Sequence, residues 1–148
     1  MVIDSYIGDL SDEELMMRPH PGCNKVAWQL GHLICSEADL LKSIGVEHGL
    51  ELSAEFVETH AKENAASDDP SGYLTKVEYV ALFEKLKQRT SDALAAIDDA
   101  QLDSPGPEFL KGFADTVGAV YVLIATHGMM HAGQFVPVRR ECDKPIVI

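Results

Sequence analysis

His127 and His131 stand four residues apart in Thr126-His127-Gly128-Met129-Met130-His131. On a helix this spacing turns both imidazoles to one side. At about 100° per residue, Val117, Val120, Ile124, His127, His131 and Gln134 form one stripe. Two imidazoles on a core-facing stripe are costly to bury without partners. A divalent metal ion offsets that cost by accepting a lone pair from each ring, and helices build metal sites in this way. A third ligand is at hand in His32, within Trp28-Gln29-Leu30-Gly31-His32-Leu33. Gly31 thins its helix there, so that another helix can approach.

The remaining reactive side chains are weighed against this trio. Cys35 follows His32 by one turn and is an alternative soft ligand, or plain packing. Glu37 falls within the apolar face of Val26, Leu30, Leu33 and Leu41. There it either orients a ligand imidazole, acts as a base near the site, or pairs with a lysine or arginine at the edge. Gln134, one turn after His131, is a further candidate around the metal. His20, His48 and His60 fall in expected loops or solvated turns and read as ordinary surface residues. Imidazole suits zinc, nickel, copper and iron, so the donor set does not choose the ion.

Helices must position these groups. Residues 1–10 read as one short helix, and Ser11-Asp12-Glu13-Glu14 as a capping box opening a brief turn. Asn24 is the expected cap of a helix running to about Ile44, ended by Gly45. Residues 45–72 form a long connection with a helical turn or two between Ser53 and Lys62. Thr75-Lys76-Val77-Glu78 is a second capping box. It opens a helix to about Ile97 that turns Tyr79, Leu82, Phe83, Leu86, Leu94 and Ile97 inward. Residues 98–114 read as a linker. The last long helix runs from about Asp115 to Phe135, where Pro137 stops or kinks it. It is apolar almost all round and is expected at the centre, with Gly118, Gly128 and Gly133 as close-packing points. The tail Pro145 to Ile148 is β-prone but too short for a sheet. The fold class is therefore all-α: a four-helix bundle with a long crossover between its second and third helices.

Composition narrows the partners. The 148 residues suit one domain, and 46% apolar with 24% charged residues is a globular balance. A formal net charge of -12 disfavours nucleic acid and anionic membranes. No apolar run is long enough to span a bilayer, and residues 1–4 carry no export signal. Three widely spaced cysteines without a CxxC pair suggest a reducing cytoplasm.

Taken together, Arg18-Pro19-His20-Pro21-Gly22-Cys23-Asn24, Ala27-Trp28-Gln29-Leu30-Gly31-His32-Leu33 and Thr126 to Gln134 resemble the DinB/YfiT-like family of metalloenzymes. The family pattern is one histidine on the second helix, then HxxxH followed by Gly-Gln on the fourth, and the likeness runs from Leu10 to about Val138. The resemblance implies a nickel or zinc ion on His32, His127 and His131 with water completing the sphere. The candidate cofactor contacts in these segments are Trp28 and Gln134. The better-understood relatives are thiol-dependent, either transferases using bacillithiol, mycothiol or glutathione or a mycothiol-dependent maleylpyruvate isomerase. The resemblance thus implies a low-molecular-weight thiol beside a small-molecule substrate, and a homodimer. Members have a long first helix, whereas ten residues precede Ser11 here. Either that helix is short or a partner subunit completes the wall. From the residues alone, thiol transfer, hydrolysis by metal-bound hydroxide and non-catalytic binding all remain open, with Glu37 the candidate base.

Overall fold

A computed structural model describes residues 2–146. The expected tail therefore falls partly outside the described residues, at Val147 and Ile148. The described chain is all-α, and its one β-type feature is an isolated bridge between Pro105 and Thr116. Helix α1 spans Val2–Ile7, and α2 spans Asp12–Leu15. At α2 the reciprocal Ser11–Glu14 capping box forms as the sequence dictates, each side chain satisfying an otherwise orphan amide.

Helix α3, Val26–Ser43, carries the deepest apolar face, with Val26, Leu30, Ile34 and Leu41 fully buried. Its cap is Lys25 rather than Asn24, and no side chain caps it. Lys25 is instead buried with its ammonium on the Ser67 carbonyl at 2.9 Å, while the Asn24 carbonyl accepts from the Gln29 side chain. The helix ends as expected. Gly45 adopts φ +79°, and the amides of Gly45 and Val46 close back on Lys42 and Leu41.

The crossover holds α4, Ala54–Thr59, capped by Ser53, and a 3₁₀ turn at Lys62–Asn64. The second capping box, Thr75 with Glu78, starts α5, Lys76–Ala96. Tyr79, Phe83 and Leu86 of α5 are buried, but Leu94, expected inward, is 44% exposed and lines an open cavity. The expected linker is partly helical, with α6 at Asp99–Leu102 and a 3₁₀ turn at Glu108–Leu110. Helix α7, Val117–Gln134, is capped by Thr116. Beyond it Pro137 sits in the first turn of α8, Val136–Glu141.

Helix α3 packs against both α5 and α7, α1 packs on α7, and α4 lies on α3. The central placement expected for α7 does not hold all round. Val122, Met129 and Met130 are 63%, 60% and 56% exposed, since only one side of α7 meets α1 and α3. Of its glycines, Gly128 is met by Ile3 of α1 and Gly118 by Leu102 of α6, but Gly133 has nothing within 4 Å and is no packing point.

A buried arginine fastens α1. Arg139 of α8 donates to the Tyr6 carbonyl at 2.6 Å and grips the Asp9 carboxylate with two bonds of 2.6 and 3.0 Å. That geometry satisfies a fully buried guanidinium and holds Asp9 below the usual carboxylate range. No helix among the described residues is long and apolar enough to cross a membrane.

Candidate metal centre

The contact between α3 and α7 brings His32 beside His127 and His131. One ring nitrogen from each lies within 4.8 Å of the others. The ring centroids are 5.6 Å apart for His32–His127, 5.4 Å for His32–His131 and 4.8 Å for His127–His131. A tetrahedral ion at about 2.1 Å from each nitrogen would need them about 3.4 Å apart. The trio is thus within about 1.4 Å of that requirement at its widest pair, a shift that side-chain torsions supply.

Two of the three imidazoles are held from behind. His131 Nδ1 is 2.8 Å from the Gln29 side-chain oxygen, and the Gln29 amide nitrogen donates to the Asn24 carbonyl at 3.2 Å. The second bond sets which end of the amide faces the ring. Nδ1–H then donates to Gln29, and the Nε2 lone pair is left for a metal. His32 is stacked on Trp28, one turn earlier, with centroids 4.8 Å apart and planes 8° from parallel. Trp28 is itself fixed by its Nε1–H on the Ala61 carbonyl at 3.2 Å.

The site favours neutral rings. Burial pushes the His131 pKa down to about 4, helped by His127 and His32. Burial, then the proximity of His127 and Lys62, lowers His32, and burial followed by Lys62 lowers His127. Neutral imidazoles clustered in a half-buried recess are the donor set that suits a borderline divalent ion.

The sequence reading of His60 is corrected. It is 1% exposed, a core residue and not a surface one. Its Nδ1–H donates to the Phe56 carbonyl at 2.7 Å, and its Nε2 accepts from the Tyr79 hydroxyl at 2.8 Å. Its ring lies flat against Gly31: a Cβ there would fall 2.1 Å from the imidazole. Gly31 thus admits a side chain from the crossover rather than a neighbouring long helix. His20 and His48 do sit in turns, each accepting from a backbone amide two residues on.

Cys35 stays a thiol, its pKa pushed up to about 11 by burial and then by Asp39, and does not belong to the cluster. Gln134 is exposed at the end of α7, and the glutamine on His131 is Gln29. Glu37 makes no ion pair among the described residues. It accepts from the Thr90 hydroxyl at 2.6 Å, and burial raises its pKa.

Two cavities meet at His127. One, of about 540 Å³, is lined by His32, Cys35, His60, Lys62, Phe109 and Phe113 among others. The second, of about 500 Å³, lies between α1, α3, α5 and α7 and holds Glu37, Thr90 and Tyr121 in mostly apolar walls. They share Leu40 and His127 alone.

A family model described as the DinB superfamily matches residues 1–135. No curated protein and no solved structure matches the chain.

Proposed function

Because the chain belongs to the DinB superfamily, we propose that it is a metal-dependent enzyme that holds one nickel or zinc ion on His32, His127 and His131 and transfers a thiol to a small electrophile. The observation that carries the transfer reading is the pair of cavities sharing Leu40 and His127. A hydrolase needs room for one organic substrate and water. A transferase needs room for two organic molecules that meet at the reacting atoms. When bound, the ion supplies a Lewis-acidic position that keeps a thiol deprotonated and nucleophilic at neutral pH.

The protein's own residues do the rest. Gln29 keeps the His131 proton on Nδ1, so its other nitrogen is always available. Trp28, buried and stacked on His32, contributes by holding that ring in place. Phe109 and Phe113, 71% and 73% exposed, offer the apolar rim of the larger cavity to an incoming thiol, with Lys62 as a cation for an anionic group on it. Glu37 is the carboxylate that would meet the second substrate. Gln134, at the exposed end of α7, is left as a contact for whatever approaches that end.

The exposed apolar side of α7, with Val122 and Met130, supports a homodimer that covers it. The free cysteines suit a reducing cytoplasm. The deciding experiment loads the protein with nickel or zinc and offers bacillithiol, mycothiol or glutathione with monochlorobimane. Metal-dependent conjugation that is lost in His131→Ala is expected. Absence of turnover with all three thiols removes thiol transfer.

A further inference from the structure

Glu37 is placed where a carboxylate has little business without a cation. The cavity around it is walled by Ile3, Leu33, Leu40, Phe83 and Ile124. One bond from Thr90 leaves most of the acceptor capacity of an ionised carboxyl unused. The cations nearby are engaged elsewhere. Lys87, on the cavity rim and about half exposed, lies 3.7 Å from Glu84, and Arg89 donates to the Glu47 carbonyl at 2.6 Å. Tyr121 lines the same cavity, and its buried hydroxyl has no hydrogen-bond partner among the described residues. A half-buried carboxylate with one hydrogen bond and a buried phenol hydroxyl with none are costly between apolar walls unless something binds there.

We propose that this cavity is a binding site for a small apolar amine, its ammonium group on Glu37 and its hydrocarbon body against Leu33, Leu40 and Ile124. An ammonium carries three donors and one positive charge. It compensates the half-buried charge of Glu37, and the Tyr121 oxygen offers a second acceptor. The rings of Phe83 and Tyr121 add faces that attract a desolvated cation. A neutral alcohol of equal length fills the same volume but leaves the carboxylate uncompensated. A carboxylic acid anion meets like charge. The acidic protein, at a net -12, draws cations toward its surface as well. The cavity is the one assigned above to the second substrate, so the inference rests on that reading and deepens it by placing an amine there; its binding test needs no metal and no turnover.

The test is calorimetric titration of the full chain, stripped of metal with a chelator, against hexylamine, 1-hexanol and hexanoate at pH 7.5. Hexylamine is expected to bind at least tenfold more tightly than 1-hexanol, and hexanoate more weakly than either. Glu37→Gln, checked for folding by circular dichroism, should bring amine and alcohol to the same affinity. Leu94→Trp fills the cavity from an exposed position and leaves Glu37 in place, so it should abolish amine binding even if Glu37→Gln does not fold. Equal affinity for amine and alcohol, tighter hexanoate, no binding to the unaltered chain, or unchanged amine binding in Leu94→Trp would each overturn the proposal. Loss of metal loading in a histidine variant would leave it untouched.

Discussion

The side-chain oxygen of Gln29 sits 2.8 Å from Nδ1 of His131, across 102 positions of sequence. This one bond decides which nitrogen of His131 can face a metal. Gln29→Leu removes it while preserving bulk, and is expected to weaken nickel or zinc binding about 10- to 100-fold. Gln134→Leu should change it little. Competition titration against a chromophoric chelator measures both, and equal losses in the two variants would contradict the assignment.

Metal stoichiometry tests the trio directly. Protein purified without a histidine tag should carry about one ion per chain, and His127→Ala or His131→Ala should carry none. The suitable controls are His20→Ala and His48→Ala, because both residues serve only local turns. Elemental analysis showing a full load in His127→Ala would end the three-histidine reading.

Gly31→Ala should destabilise the fold, because the new methyl lands on the His60 ring and neither partner has room to yield. Overpacking of this kind costs about 1–3 kcal/mol. The double variant Gly31→Ala with His60→Ala should not add the two single losses, since removal of the ring creates the space that the methyl needs. Urea denaturation of the four proteins measures the coupling, and strict additivity would refute it.

Acid should loosen the metal-free protein earlier than its carboxylates alone would allow. His32, His60, His127 and His131 all have pKa values below 6.5 in the fold, burial being the first cause in each. As pH falls, the unfolded chain takes up protons first. The stability is therefore full above about 6.5 and drains away toward the folded values, about 4 for His131. The melting temperature of chelator-treated protein should fall between pH 7 and pH 5. Saturating zinc should raise it at pH 7.5, since the ion binds the folded state. A flat profile would count against buried neutral imidazoles.

Light scattering at micromolar concentration should return twice the chain mass of 16.2 kDa, and Val122→Glu should return one. The motive is the row of exposed apolar groups on α7. A monomeric mass for the unaltered protein would leave that row unexplained.

Local chemistry was readable in advance. The boxes at Ser11 and Thr75, and the turn at Gly45, depend on residues three or four apart, so pattern alone locates them. The pair His127 and His131 was readable for the same reason: α7 has the 3.6-residue period, and a period survives without coordinates, whereas His32 on α3 joined them through the family resemblance. What stayed hidden depends on the crossover. Nothing near His60 in sequence announces Gly31 or Tyr79 as neighbours, so a histidine in an apparent loop looked solvated. Gln134 stood as a candidate around the metal because it is one turn from His131 in sequence, whereas the glutamine that meets His131 in space is Gln29. Asn24 lost its capping role because Lys25 is drawn down toward Ser67, a contact 42 residues away.

The grip of Arg139 on Tyr6 and Asp9 spans 133 and 130 positions. During synthesis, α1 therefore emerges long before the residue that fastens it. Until α8 is made, α1 lacks this clamp and has its packing on α7 to hold it. Ile3 walls the cavity and meets Gly128 between the two α7 histidines, so the clamp on α1 also steadies one flank of the histidine cluster.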